Sequence, residues 1–210
     1  KQIKMNGNQN IFWKNVCFFH LIVCLLACGF VSVGYEGISL LFQHGNFGET
    51  ATRDVFWGSL LYIVGQQSNV IRDLIYRYFY AKGNTKDPAK NGVVISIVNI
   101  LISLLLVRYI GFYGIIIGTV IASFVSLIII LYKFKIKIGF TIKIQEVMFT
   151  FLRNIFISIT TISIVVLTKS MLIINNRQLS IIVFGTETMI VFIILVCFFS
   201  KDLLKSVKNI

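Results

Sequence analysis

The chain has 210 residues, 57% of them hydrophobic and only 13% charged, with a mean hydropathy of +0.86. A soluble domain carries roughly 25% charged residues, so this mixture excludes a fold that hides its apolar surface from water. The net charge of +12 would suit nucleic acid in a soluble protein. Here it reads as attraction to anionic membrane lipid, and no nucleic-acid partner is expected.

Apolar runs of about 20 residues match a ~30 Å hydrocarbon core at 1.5 Å rise per residue. The expected fold is all-α: a polytopic membrane helical bundle of about six transmembrane helices, a single membrane domain over residues 1–210. The first span covers residues 11–33, with a weaker apolar extension to 42. It is too long, and too rich in Phe and Cys, for a cleaved signal peptide. Because the chain starts at Lys1 and not at Met, the expectation is a fragment or a processed form.

A polar stretch, 43–54, leads into the second span, 55–80, which Thr50 is placed to cap. A second polar stretch, 82–91, holds the single proline, Pro88. The third span, 92–110, carries Ser96, Asn99 and Ser103 on one face, which would meet a neighbouring helix or a wet cavity. The fourth, 113–132, repeats Gly114, Gly118, Ala122 and Ser126 every four residues, a small face for close helix packing. The fifth and sixth spans cover 148–167 and 180–199.

Cys17, Cys24, Cys28 and Cys197 all fall in spans and read as small buried hydrophobes; no His or carboxylate completes a metal site with them. Fourteen of the 20 Lys and Arg lie before span one, between spans two and three, between four and five, and after six, or, for Lys14 and Arg77, in the adjoining ends of spans one and two. The alternate loops hold Arg53, Arg108, Lys169 and Arg177. Short loops rich in Lys and Arg stay cytoplasmic, so both termini are expected inside.

Span two is the unusual one. Tyr62, Gln66, Asn69, Asp73, Tyr76 and Tyr80 recur at three- and four-residue steps and form a polar stripe, a candidate cavity wall. Charges at mid-bilayer are costly and usually face a bundle interior or a water-filled path. Asp73 and Arg77 stand at the spacing of a helical ion pair, which would leave Arg72 unmatched and free to grip carboxylate or phosphate oxygens. The competing reading has Arg72 and Arg77 snorkelling to lipid headgroups. Glu36, Arg153 and Glu187 are further charges in or near spans: an interfacial role is expected for Glu36, snorkelling for Arg153, and a partner on another helix for Glu187.

Residues 71–90, IRDLIYRYFYAKGNTKDPAK, resemble the segment joining helices ten and eleven of MurJ/MviN-type lipid II flippases, members of the multidrug/oligosaccharidyl-lipid/polysaccharide exporter superfamily. Arg72, Asp73, Arg77, Phe79, Tyr80, Thr85, Lys86 and Pro88 match that pattern in register. Residues 40–47, LLFQHGNF, resemble the motif after the family's ninth helix, and 111–122 the Gly-rich start of its twelfth. The six spans then fall on helices nine to fourteen, the C-terminal part. Gln43 and His44 replace the usual Glu-Arg, and Asn84 stands where Asp is common.

The resemblance implies movement of an undecaprenyl-pyrophosphate-linked sugar lipid, most specifically lipid II, across the bacterial cytoplasmic membrane by alternating access. It assigns residues 1–134 to part of a transport lobe and 148–200 to two helices forming a lipid-tail groove. Arg72, Asp73, Arg77, Asn69, Gln66 and Tyr76 become candidates for substrate binding or gating. The expected partners are that lipid, the surrounding membrane lipids, and the N-terminal lobe, which this sequence lacks. Exporters of O-antigen or capsule units and cation-coupled drug exporters share the architecture, and a non-transporting remnant is a further alternative. With only His20 and His44, and no Ser, Asp or Cys at a catalytic spacing from either, a membrane enzyme is not expected. No catalytic residue, metal ligand or cofactor is assigned.

Overall fold

A computed structural model describes residues 2–139, 144–172, 174 and 176–200, with side chains from residue 9 and, in the fifth helix, from 147. They form six helices: α1 Gln2–Phe42, α2 Glu49–Ala81, α3 Lys86–Ile110, α4 Phe112–Ile138, α5 Ile144–Met171 and α6 Arg177–Phe199. Of the charges in the orientation pattern, Lys1, Lys143, Lys201, Lys205 and Lys208, and the side chain of Lys4, lie outside the described residues.

Five of the helices are long and apolar enough to cross a membrane: α1, α3, α4, α5 and α6. α2 has 33 residues, about 50 Å of helix, yet its polar stripe keeps it below that apolarity. The chain is a helical membrane bundle, because in hydrocarbon a helix satisfies its own backbone N–H and C=O groups. Most helices run past the apolar spans into the polar stretches. α3 starts at Lys86, within residues that read as loop, and Pro88 sits in its first turn, where no backbone hydrogen bond is lost. Thr50 lies inside α2 and does not cap it; the amide of Thr52 donates to the Gly48 carbonyl at 3.1 Å.

The helices divide between two compact units, Lys1–Val16 with Leu61–Lys143, and Cys17–Leu60 with Ile144–Ile210. In the first, α3 and α4 form a hairpin turning on Gly111 alone, at φ 57° and ψ −137°, a conformation closed to residues bearing a Cβ. Gly114 and Gly118 are buried against α3: a Cβ on Gly114 would lie 2.6 Å from the Leu106 carbonyl carbon, and one on Gly118 would lie 2.9 Å from the Ser103 amide. Farther along α4, Ala122 and Ser126 are fully buried. Asn99 and Ser103 meet this helix: the Ser103 and Thr119 hydroxyls both donate to Asn99 Oδ1, at 2.9 and 3.3 Å. Ser96 is exposed and bonds its own helix. Phe134 anchors an aromatic cluster with Phe12, Tyr78 and Phe79, at centroid distances of 5.1, 5.4 and 5.9 Å.

In the second unit, Leu21, Cys24 and Cys28 of α1 pack with Ile157 of α5 and Phe192 and Val196 of α6. Three cysteines are buried, but Cys197 is exposed, at the edge of the α6 face that carries Phe192 and Val196. His20 stacks on Phe151 at 4.0 Å, and its Nδ1 lies 3.2 Å from the Asn154 amide. Glu36 pairs with Lys169 of α5, which also donates to the Ser32 carbonyl at 3.1 Å and lies 5.7 Å from the Phe184 ring. Glu187 accepts from Thr168 of α5 at 2.9 Å. Arg153 is half-buried, with its Nε enclosed.

The α3–α4 approach gives a direct test. Gly114→Ala should destabilise the protein in detergent by about 1–3 kcal/mol through overpacking, seen as a lower midpoint of thermal unfolding. Gly92→Ala, where a Cβ meets nothing within 4 Å, should be neutral or stabilising by about 0.5–1 kcal/mol.

Candidate functional site: the polar face of α2

α2 buries the side that a soluble helix would also bury: Ser68, Ile71, Ile75 and Phe79 are enclosed, and a Cβ on Gly65 would sit 3.2 Å from Val120 of α4. This face follows the three- and four-residue helical step, so the polar stripe is turned away from the packed side. Tyr62 and Tyr80 at its ends are exposed, and the Asp73 side chain is 57% exposed.

Along the stripe, Asn69 donates to Gln66 Oε1 at 3.0 Å. Asp73 does not pair with Arg77. Its Oδ1 accepts from Arg72 Nε at 3.2 Å and from Arg72 Nη2 at 3.1 Å. The adjacent guanidinium reaches the carboxylate with two N–H groups, a fork that Arg77 one turn on does not provide. Arg72 is therefore the matched cation. Arg77 is exposed, with no carboxylate within 4 Å among the described residues. The Arg72 side chain is 17% exposed, with its guanidinium carbon 5.6 Å from the centre of the Tyr76 ring. Arg72, Asp73 and Tyr76 thus form one group, Gln66 and Asn69 a second, and Arg77 stands apart.

Two residues in the stretch read as loop turn out to organise this unit. Asn91 is fully buried, and its amide donates to Tyr76 Oη and Ser126 Oγ, each at 2.8 Å. Asp87 is a buried carboxylate that accepts from Lys137 at 2.5 Å and from Asn84 Nδ2 at 2.6 Å, with Lys133 at 3.8 Å. Asn84 also accepts from the Asp87 amide at 3.2 Å, satisfying one of the free N–H groups at the start of α3. The available sequence signal was an acid beside a proline at a helix start, with two lysines four residues apart at the end of α4. Nothing in the sequence said that these would meet.

The second unit carries an apolar groove of about 730 Å³. Gly29, Phe30, Val33 and Gly37 of α1 line one wall, and Ile182 and Gly185 of α6 the other. Among the described residues no cluster of three or more His, Cys, Asp or Glu could hold a metal.

The family model of the lipid II flippase MurJ matches residues 4–200. The chain belongs to that family. It is also similar to a solved structure, the lipid II flippase MurJ in its inward closed conformation, with a TM-score of 0.75 and 20% sequence identity. That likeness covers 95% of this chain and 41% of the MurJ chain, so this sequence spans less than half of that structure. No curated protein matches.

The charge cluster at Asp87 should matter for stability in a graded way. Asp87→Ala leaves Lys133 and Lys137 without their shared carboxylate and should cost about 1–2 kcal/mol, the scale of a charged hydrogen bond discounted because Lys137 is half exposed. Lys137→Ala should cost less, and Lys133→Ala, at the longer distance, least. Thermal melts of the purified variants in detergent check this order.

Proposed function

We propose that this chain is the C-terminal part of a lipid II flippase, corresponding to helices nine to fourteen, and works with an N-terminal lobe supplied by the same longer polypeptide or by another chain. The observation that carries this reading is the family match across residues 4–200. The chain serves transport and makes or breaks no covalent bond. Its setting is the bacterial cytoplasmic membrane, with both termini on the cytoplasmic side, as the distribution of Lys and Arg favours.

In this reading the helices within 1–134 belong to the transport lobe, and the stripe on α2 faces the headgroup path. The obstacle to moving lipid II is its pyrophosphate, whose charge is costly in hydrocarbon. Arg72 has donors suited to phosphate oxygens, and Asp73 holds the guanidinium when substrate is absent, so the headgroup exchanges one anionic partner for another. Gln66, Asn69 and Arg77 offer further hydrogen-bonding groups along the same side, and the Tyr76 ring lies beside Arg72. The groove between α1 and α6, within the tail-binding region that includes 148–200, is apolar enough for a polyprenyl chain.

In the complete transporter reconstituted in vesicles, Arg72→Ala should lower lipid II flipping about 10-fold or more, the scale of one charge-assisted contact, with membrane insertion unchanged. Normal flipping by that variant would remove Arg72 from the mechanism. Gly185→Trp should fill the groove without a backbone clash, since a Cβ there meets nothing within 4 Å. It should reduce flipping while leaving binding of a soluble, tail-free pyrophosphate analogue intact; loss of both would sink the tail assignment.

A further inference from the structure

Asn91 is fully buried at the start of α3, and the transport reading gives it no task. Its Nδ2 donates one N–H to Tyr76 Oη at 2.8 Å and shares the other between Ser126 Oγ at 2.8 Å and the Ser126 carbonyl at 3.1 Å, so one amide ties together α2, α3 and α4. Its Oδ1 has no partner among the described residues. An apolar side chain here would enclose no unsatisfied oxygen, so packing stability is a poor account of the amide.

What the amide does hold is a ring. Tyr76 is fixed at its phenol oxygen by Asn91, and the face of the same ring lies 5.6 Å from the Arg72 guanidinium carbon. A cation over an aromatic face is attracted by the ring quadrupole, so the ring's orientation sets where the guanidinium rests. Arg72 has Asp73 as its second neighbour, 3.1 Å away, but that carboxylate is itself largely exposed. The Tyr76 ring, by contrast, is tied to the fully buried Asn91.

We infer that Asn91 is a positioning residue for Arg72: it anchors the Tyr76 ring, and the ring holds the guanidinium in place for the diphosphate of the lipid headgroup. This rests on the headgroup role proposed for Arg72. The test compares binding of undecaprenyl pyrophosphate and of undecaprenol to the complete transporter in nanodiscs. Tyr76→Phe keeps the ring and removes only the hydroxyl, and Asn91→Leu keeps the branched heavy-atom shape and removes the amide. Each weakens binding of the diphosphate lipid about three- to tenfold, the scale of one hydrogen bond, and leaves undecaprenol binding unchanged. The double variant loses no more than either single one, and both effects vanish in an Arg72→Ala background. Additive losses, equal losses for both lipids, or unchanged affinity overturn the inference. If Arg72→Ala itself leaves diphosphate binding intact, the headgroup reading fails and takes this inference with it. If Arg72→Ala weakens binding while Tyr76→Phe and Asn91→Leu do not, this inference alone falls.

Discussion

Hydrocarbon offers no hydrogen bonds, and that one constraint organises this molecule. Each backbone segment within it must be helical, and each polar side chain must find a partner in the protein or turn toward a surface that is not lipid. Most serines and threonines of the spans meet the requirement locally: Ser158, Thr161 and Thr188 donate to the carbonyl four residues earlier. Asn91, Asn99 and Asn154 cannot settle an amide in this way and reach to other helices, although Oδ1 of Asn91 and of Asn154 has no partner among the described residues. Each such bond is worth only about 0.6 kcal/mol on average in a membrane, too little to drive assembly but enough to select among registers.

The same constraint separates two carboxylates of the first unit. Asp87 is enclosed, meets Lys137 and Asn84 within 2.6 Å, and has Lys133 nearby, which fastens the start of α3 to the end of α4. Asp73 is exposed and has one neighbouring guanidinium. An enclosed carboxylate with several donors resists exchange, because removing any partner strands charge. An exposed pair is weak and exchanges readily. The first arrangement suits a fixed joint, the second a group that trades partners.

Membership of the MurJ family rests on the match over residues 4–200, and the six-helix architecture agrees with a TM-score of 0.75 to a solved member. At 20% identity such a likeness conveys the path of the backbone, and the side chains add the chemistry. Here those are the partly exposed polar stripe of α2, with the Arg72–Asp73 pair at its centre, and an apolar groove in the second unit.

Residues 92–110 and 113–132 are so apolar that their helices, and the membrane as their solvent, could be read without coordinates. The polar period of α2 was equally plain, since the three- and four-residue step is a property of the helix itself. Partner choice was not legible. Arg72 and Arg77 are both within reach of Asp73 along the chain, and side-chain rotamers within the packed unit decide for Arg72. Asp87 and Lys137 are 50 residues apart, and only the hairpin closed at Gly111 brings them together. The sequence by itself determined where the chain is helical and lipid-solvated, because both follow from local composition and period. The tertiary structure alone decided which polar groups meet, because that depends on how distant helices lie against one another.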